Sequence, residues 1–298
     1  MIKSVMTSLA VIASLAAASP AHAQASWDKV AAALGKSGTV MPGGVYRIGL
    51  PRTDLHVILD GVEIKPTLAL GSWLAFEGTG PDTMVMGDLV LTESEISPVM
   101  KQLLAGGIDI TALHNHLLRA QPATFYMHVL GHGDPVKLAT ALHEGLALSH
   151  TPFANAAPPA AGAPPPKIDL DTAMIDRTLG AKGQIAGGVY QVNIRRAETV
   201  QDGGMDVPVA MGSAEAMNFQ PTGGGKAAIT GDLVLTAQEV NPVLRALRDN
   251  GIEVTALHNH MLDDQPRLFF MHFWANDDAE KLTKGLRSAL DKVNVARS

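Results

Sequence analysis

The chain has 298 residues, which at about 100–200 residues per domain points to two domains. Hydrophobic residues make up 46 % and charged residues 17 %, with 29 Gly and 18 Pro, which excludes disordered, collagen-like and coiled-coil classes. A net charge of −6 without a basic run lacks the footprint that a phosphate backbone demands, so no nucleic-acid partner is expected. The absence of cysteine excludes disulfides, thiolate-bound zinc, iron–sulfur clusters and thiol catalysis.

Residues 1–23 read as a signal peptide. Met1-Ile2-Lys3-Ser4 is a short positive start, Val5 to Ala18 an apolar run too short for a bilayer, and Ala21-His22-Ala23 a small-x-small cleavage site. No later stretch approaches a membrane span, and no cysteine is present to carry lipid, so a free periplasmic or secreted protein is expected.

A helix is expected around Trp27–Leu34. Strands follow at Val45–Leu50, Leu55–Leu59, Leu68–Phe76 and Met84–Leu91, between Gly, Pro and Asp punctuation. The next helix starts either at the capping box Thr92-x-x-Glu95 or at Ser97-Pro98, and stops at Gly106-Gly107. Then come a strand at Ile108–Leu117, a turn at Arg119–Pro122, a strand at Thr124–Leu130 and a helix from Pro135 to Leu148. The order β-α-β-β-α is the kernel of a ferredoxin-like arrangement, so the class is α+β, an antiparallel sheet with helices on one face. From Thr151 to Pro166 the chain reads TPFANAAPPAAGAPPP, which forms an extended spacer rather than a packed core.

Beyond the spacer the pattern returns. Gly87-Asp88-Leu89-Val90-Leu91-Thr92 recurs at 231–236, and Ala112-Leu113-His114-Asn115-His116 at 256–260. Aligned without gaps at that offset, residues 87–146 and 231–290 match at 29 of 60 positions. The second opening helix is expected near Asp171–Leu179, and the helix equivalent to that after Thr92 starts at Thr236-x-x-Glu239 or Asn241-Pro242 and stops at Asn250-Gly251. The expected organisation is a leader at 1–23, a first repeat at 24–148, a linker at 149–167 and a second repeat at 168–298.

Six histidines fall into two equivalent triplets, His114, His116, His128 and His258, His260, His272, while His56, His132, His143 and His150 have no counterpart in the other repeat. In a strand, positions i and i+2 share a face, so His114 and His116 point together, and His128 on a paired strand can join them. Three imidazoles on adjacent strands can build a His₃ site with an open position for water. Imidazole suits zinc, copper, iron or nickel, so the metal stays open, with zinc foremost. Glu95, Glu239, Asp263 and Asp264 are the nearby acidic candidates for a base, although the capping signature already accounts for Glu95 and Glu239. Buried histidines are more often hydrogen-bonded core residues than ligands, and a duplication copies structural histidines as faithfully as functional ones, so the two triplets count as one observation.

Other signals are weaker. Thr222-Gly223-Gly224-Gly225-Lys226 lacks the spacing and following helix of a phosphate loop and reads as a hairpin loop. The letters His-Asn-His are contiguous, unlike the dispersed residues of an HNH nuclease. Phe269, Phe270, Phe273 and Trp274 crowd around His272 as core or as the lining of a pocket.

The pattern G-D-L-V-L-T-x-x-E-[VI]-[NS]-P-V, then G-I-[ED]-[VI]-T-A-L-H-N-H and [FY]-M-H, resembles the LppY/LpqO family of tandem exported bacterial domains of unknown function. The resemblance implies no activity, and this chain lacks the anchoring cysteine of the namesake lipoproteins. The expectation is an exported tandem-domain protein that binds a divalent transition metal or small ligand through the six histidines. A metal-dependent hydrolase and a metal-free interaction module, its protein partner unknown, remain the alternatives.

Overall fold

The structure is a computed structural model, and the residues it describes are 20–154 and 167–296. The expected leader falls on residues 1–19, outside these, and on the first turn of the opening helix, and most of the expected Pro/Ala linker also lies outside them. Among the described residues no helix is long and apolar enough to cross a membrane.

The first repeat runs α1 (Pro20–Leu34), β1 (Thr39–Val40), β2 (Tyr46–Pro51), β3 (Val57–Leu59), β4 (Val62–Ile64), α2 (Pro66–Ala69), β5 (Gly71–Glu77), β6 (Thr83–Thr92), α3 (Glu93–Ala105), β7 (Asp109–His114), β8 (Thr124–Gly133) and α4 (Pro135–Leu146). The second runs α5 (Thr172–Leu179), β9 (Gln184–Ala186), β10 (Val189–Arg195), β11 (Gln201–Asp202), β12 (Met205–Asp206), β13 (Ala214–Gly223), β14 (Lys226–Thr236), α6 (Ala237–Asp249), β15 (Glu253–His258), β16 (Asp264–Gln265), β17 (Leu268–Asp278) and α7 (Ala279–Leu290). Two antiparallel six-stranded sheets result, ordered β1-β2-β5-β6-β8-β7 and β9-β10-β13-β14-β17-β15. In each, a helix carries the chain to a strand two places away and the next strand inserts between, as the β-α-β-β-α kernel requires. The fourth place, beside β6 and β14, is taken by the strand that precedes them, β5 and β13.

Both capping boxes close. Thr92 with Glu95, and Thr236 with Glu239, satisfy terminal amides reciprocally, so the helices start at the first of the two candidate signals and Pro98 and Pro242 lie inside them. Two satisfied donors outweigh the single bond that an interior proline removes. The stretch expected as one strand at Leu68–Phe76 is instead split, because Pro66 at a helical first turn makes 66–69 a short helix before β5. The strand expected to reach Leu117 ends at His114, which leaves His116 on the following loop.

The helices pack on one face of each sheet. In the first repeat Leu34, Val99, Leu103 and Leu142 meet Ile48, Leu74, Phe76, Leu89 and Met127. The opposite faces of the two sheets lie against each other, in layers of helices, sheet, sheet and helices. One shared cluster joins Ala75, Met84 and Met86 to Val207, Val234 and Phe270, and another joins Leu70, Val90 and Tyr126 to Val189, Ala228 and Trp274. This double cover explains why both alternating sets of β6 are buried along nearly its whole length. At the rim, Arg119 bridges Asp60 and Glu253 at 2.9 and 2.7 Å, and the Trp274 indole donates to Asp60 Oδ2 at 3.0 Å.

Candidate metal centre

The inner faces carry the polar residues. On β8, His128 stands opposite Asp88 of β6 on one side and Ala112 of β7 on the other; β17 repeats the arrangement with His272, Asp232 and Ala256. A register shift between Ile110 and Ala112, matched between Val254 and Ala256, precedes His114 and His258 at the strand ends. Gly231 before Asp232 is required by the close approach of β13, since a Cβ there would lie 1.9 Å from the Ala216 carbonyl oxygen.

All six triplet histidines meet, and they pair across the repeats. His114 stacks on His258 with ring centroids 3.4 Å apart, His116 on His272 at 3.6 Å, and His128 on His260 at 3.7 Å. Within the first triplet the rings are farther apart, 4.9 Å for His114 with His116 and 5.1 Å for His114 with His128. Tyr126 backs His116 and Phe270 backs His260, each at 3.4 Å. The four unduplicated histidines lie elsewhere: His143 Nδ1 meets the Leu34 carbonyl at 2.8 Å, His150 faces Glu95, His56 faces Glu63, and His132 is exposed near the end of β8 opposite Met84.

Two carboxylates that the motif reading passed over complete the centre. Asp232 approaches His260 Nε2 at 3.4 Å and His272 Nδ1 at 3.9 Å, while Asp88 lies 4.0 Å from His128 Nε2. Their signal was a lone acid, repeated at the same place, inside an otherwise apolar strand. Four groups bring ligand atoms within 4.8 Å of one another: His114, His116, His258 and His272; His128, His258 and His260; Asp88, His116 and His128; Asp232, His260 and His272. None of them is a whole triplet of the kind the strand spacing suggested, because docking of the sheets interleaves the two sets.

The electrostatics are those of a buried polar pocket. Burial lowers every one of the six imidazoles, and neighbouring histidines lower five of them further, His114 to about 2; His258 falls to about 4, with the Asn259 backbone partly opposing. Burial lifts Asp88 to about 8 against the field of Arg47, and lifts Asp232 well above the carboxylate range with Glu215 and Asp88 adding to the effect. Asp88 Oδ1, Asp232 Oδ1, both ring nitrogens of His114 and Nε2 of His116, His128 and His260 are buried without a hydrogen-bond partner. His272 Nδ1 donates to the Gly231 carbonyl at 2.9 Å and His258 Nδ1 to that of Asn259 at 3.1 Å. Neutral rings so arranged turn two bare Nε2 lone pairs toward each other, 2.8 Å apart.

Of the four acids that the sequence offers as a base, Glu95, Glu239 and Asp264 have their carboxylates occupied elsewhere. Glu95 accepts from Arg52 Nη1 at 2.8 Å and from the Thr92 amide at 2.8 Å, and Glu239 repeats this with Arg196 and Thr236. Asp264 accepts from Arg267 at 2.8 Å and from the Leu268 amide at 2.6 Å, and Asp263 donates its backbone amide to Asp202 at 3.2 Å. A cleft of about 550 Å³ between the β2–β5 and β10–β13 edges reaches Asp88, Asp232, His116, His260 and His272.

Fold and site define a duplicated α+β protein with a histidine–aspartate centre buried between its repeats. The chain belongs to the family described as Domain of Unknown Function (DUF1259), which matches residues 28–148 and 173–292. No curated protein is similar to it at a significant level. Among solved structures, a trimeric bacterial microcompartment shell protein, PduB, is 12 % identical over 88 % of this chain and 97 % of its own, with a TM-score of 0.21. EtuB from Clostridium kluyveri is 7 % identical over 86 % and 90 %, with a TM-score of 0.20. Likeness at that level carries no argument about this chain.

Proposed function

We propose that the protein binds a divalent transition metal, zinc foremost, between its repeats, with ligands drawn from His114, His116, His128, His258, His260 and His272 and completed by Asp88 and Asp232. The facing Nε2 atoms of His258 and His272 carry this reading. Both Nδ1 atoms serve carbonyl acceptors, which sets the tautomer and leaves two lone pairs in contact. A shared proton would relieve the repulsion, but burial depresses both imidazolium forms. A cation relieves it without protonating either ring and also answers the orphaned nitrogens and carboxylate oxygens around it.

Elemental analysis of protein purified without chelator tests the reading. At least one equivalent of a single transition metal is expected, lost in a folded variant carrying His114→Ala and His258→Ala. A wild type that takes up no zinc, copper, iron or nickel from their salts overturns it. Residues 1–23 support export, as does the resemblance to the exported LppY/LpqO domains; a periplasmic product beginning at Gln24 is the expected outcome.

A second reading, a metal-dependent hydrolase, is favoured by the cleft that leads to the centre. A metal lowers the pKa of bound water toward about 7, and Asp88 or Asp232 would take its proton. Turnover of p-nitrophenyl acetate or phosphate that chelator abolishes and zinc restores is the measurement that separates an enzyme from a binding protein.

A further inference from the structure

The cleft has one cationic wall. Among the described residues that line it, Arg47 is the single lysine or arginine, against two aspartates at the floor. Arg47 projects from the inner face of β2, with its guanidinium 4.1 Å over the Trp73 ring of its own repeat, while Nη1 donates to the Ala210 carbonyl of the other. Gly212 abuts Trp73 from the second repeat, where a Cβ would stand 3.1 Å from the indole. The fork is therefore held from both repeats before any ligand arrives.

It has no matching anion. Arg47 makes no ion pair among the described residues, and one of its five N–H groups serves Ala210. Asp88 acts on it only through its field, and burial brings the guanidinium down to about 10, so it is still charged at neutral pH. A charge enclosed without a partner costs free energy unless something compensates it. At the equivalent position of β10 stands Gln191, whose amide is already committed to the Thr67 carbonyl at 3.0 Å. The charge is thus a property of one end of the cleft and not of the duplicated scaffold.

We propose that this cleft binds a small molecule bearing an oxyanion, a carboxylate or a phosphate, seated on the Arg47 fork with its other end directed to the interdomain centre; this rests on the metal reading for what the far end meets. A planar fork of donors fits both oxyanions bidentately. No other lysine or arginine lines the cleft among the described residues, which places the negative group at the Arg47 end. The volume of about 550 Å³ lies in the range of small-metabolite sites, roughly 300–1,000 Å³.

The test is calorimetric titration of the full chain, as purified and dialysed free of unbound metal, with inorganic phosphate, succinate and glucose 6-phosphate, and with glucose as the uncharged control. At least one oxyanion binds and glucose does not; phosphate and succinate together tell which oxyanion is preferred. Arg47→Gln, which copies the residue of the second repeat, weakens binding tenfold or more with metal content unchanged, and Arg47→Lys retains part of it. No binding by any of the three anions, or equal binding to the wild type and Arg47→Gln, overturns the proposal. If the wild type holds no metal yet binds an oxyanion through Arg47, the metal reading fails and the cleft site stands.

Discussion

Asp88 and Asp232 face histidine nitrogens, Asp88 that of His128 at 4.0 Å and Asp232 those of His260 at 3.4 Å and His272 at 3.9 Å. Without a cation an ionised carboxylate there is destabilising, and its raised pKa reports that. The two states of the protein should therefore answer Asp→Asn in opposite directions. In metal-free protein, Asp88→Asn or Asp232→Asn leaves the melting temperature at pH 8 unchanged or raises it. In loaded protein the same changes weaken metal binding by about 10–100-fold, the usual cost of losing a carboxylate that ligates or orients a ligand. Melting curves with and without chelator, together with a competition titration, check both signs. A purely structural role for the aspartates would lower both melting temperatures. Each acid was legible as an anomaly, a charge between Met-Gly or Thr-Gly and Leu-Val on a largely apolar strand. Its partner histidines were not legible, because no spacing in one repeat encodes which ring of the other lies above it.

At the scale of the element, the helix that follows β6 is anchored by one buried ion pair. Arg52, fully buried, reaches Glu95 and the Val90 carbonyl, tying the end of β2 to the first turn of α3; Arg196 and Glu239 repeat the arrangement. Burial alone would raise the Glu95 carboxyl, but hydrogen bonds from Arg52, the Thr92 amide and His150 more than reverse it, bringing it from 4.5 to about 2. A carboxyl whose pKa is depressed on folding stabilises the fold fully above its unfolded value and loses that contribution as pH falls toward the folded one. Stability should decline between pH 4.5 and 2 as Glu95 titrates. Arg52→Met flattens that decline while lowering stability at neutral pH by about 3–5 kcal/mol, since it leaves the carboxylate buried without its partner. Chemical denaturation across that pH range measures both effects. The Thr-x-x-Glu signature gave the role of Glu95 in advance, since a capping box is local; Arg52, 43 residues upstream, was not accessible to such a reading.

At the scale of the whole molecule, the two repeats share a core between their sheets in addition to the one each has under its helices. The clusters between the sheets draw on both, so neither inner face is covered until the other is in place. A break in the Pro/Ala segment should then leave the folded chain in one piece. A protease site inserted among residues 155–166 and cleaved should leave halves that co-elute in gel filtration and retain the metal content of the intact chain. Halves that separate after cleavage would show that the inner faces do not hold together unaided. The same docking produces the centre, which contains ligands from both repeats in two of its four groups.

The sequence by itself determined the duplication, the α+β class, the β-α-β-β-α order, a pair of candidate starts for the helix after β6 and after β14, and two equivalent histidine triplets. These follow from periodicity, turn chemistry and caps, which act over a few residues, and from self-similarity, which needs no structure. Only the tertiary structure decided that the histidines of the two repeats interleave, that Asp88 and Asp232 join them, and that Arg47 looks into the cleft. The physical reason is that an alternating strand states which residues share a face but not what will cover that face, and here the cover is the other half of the chain.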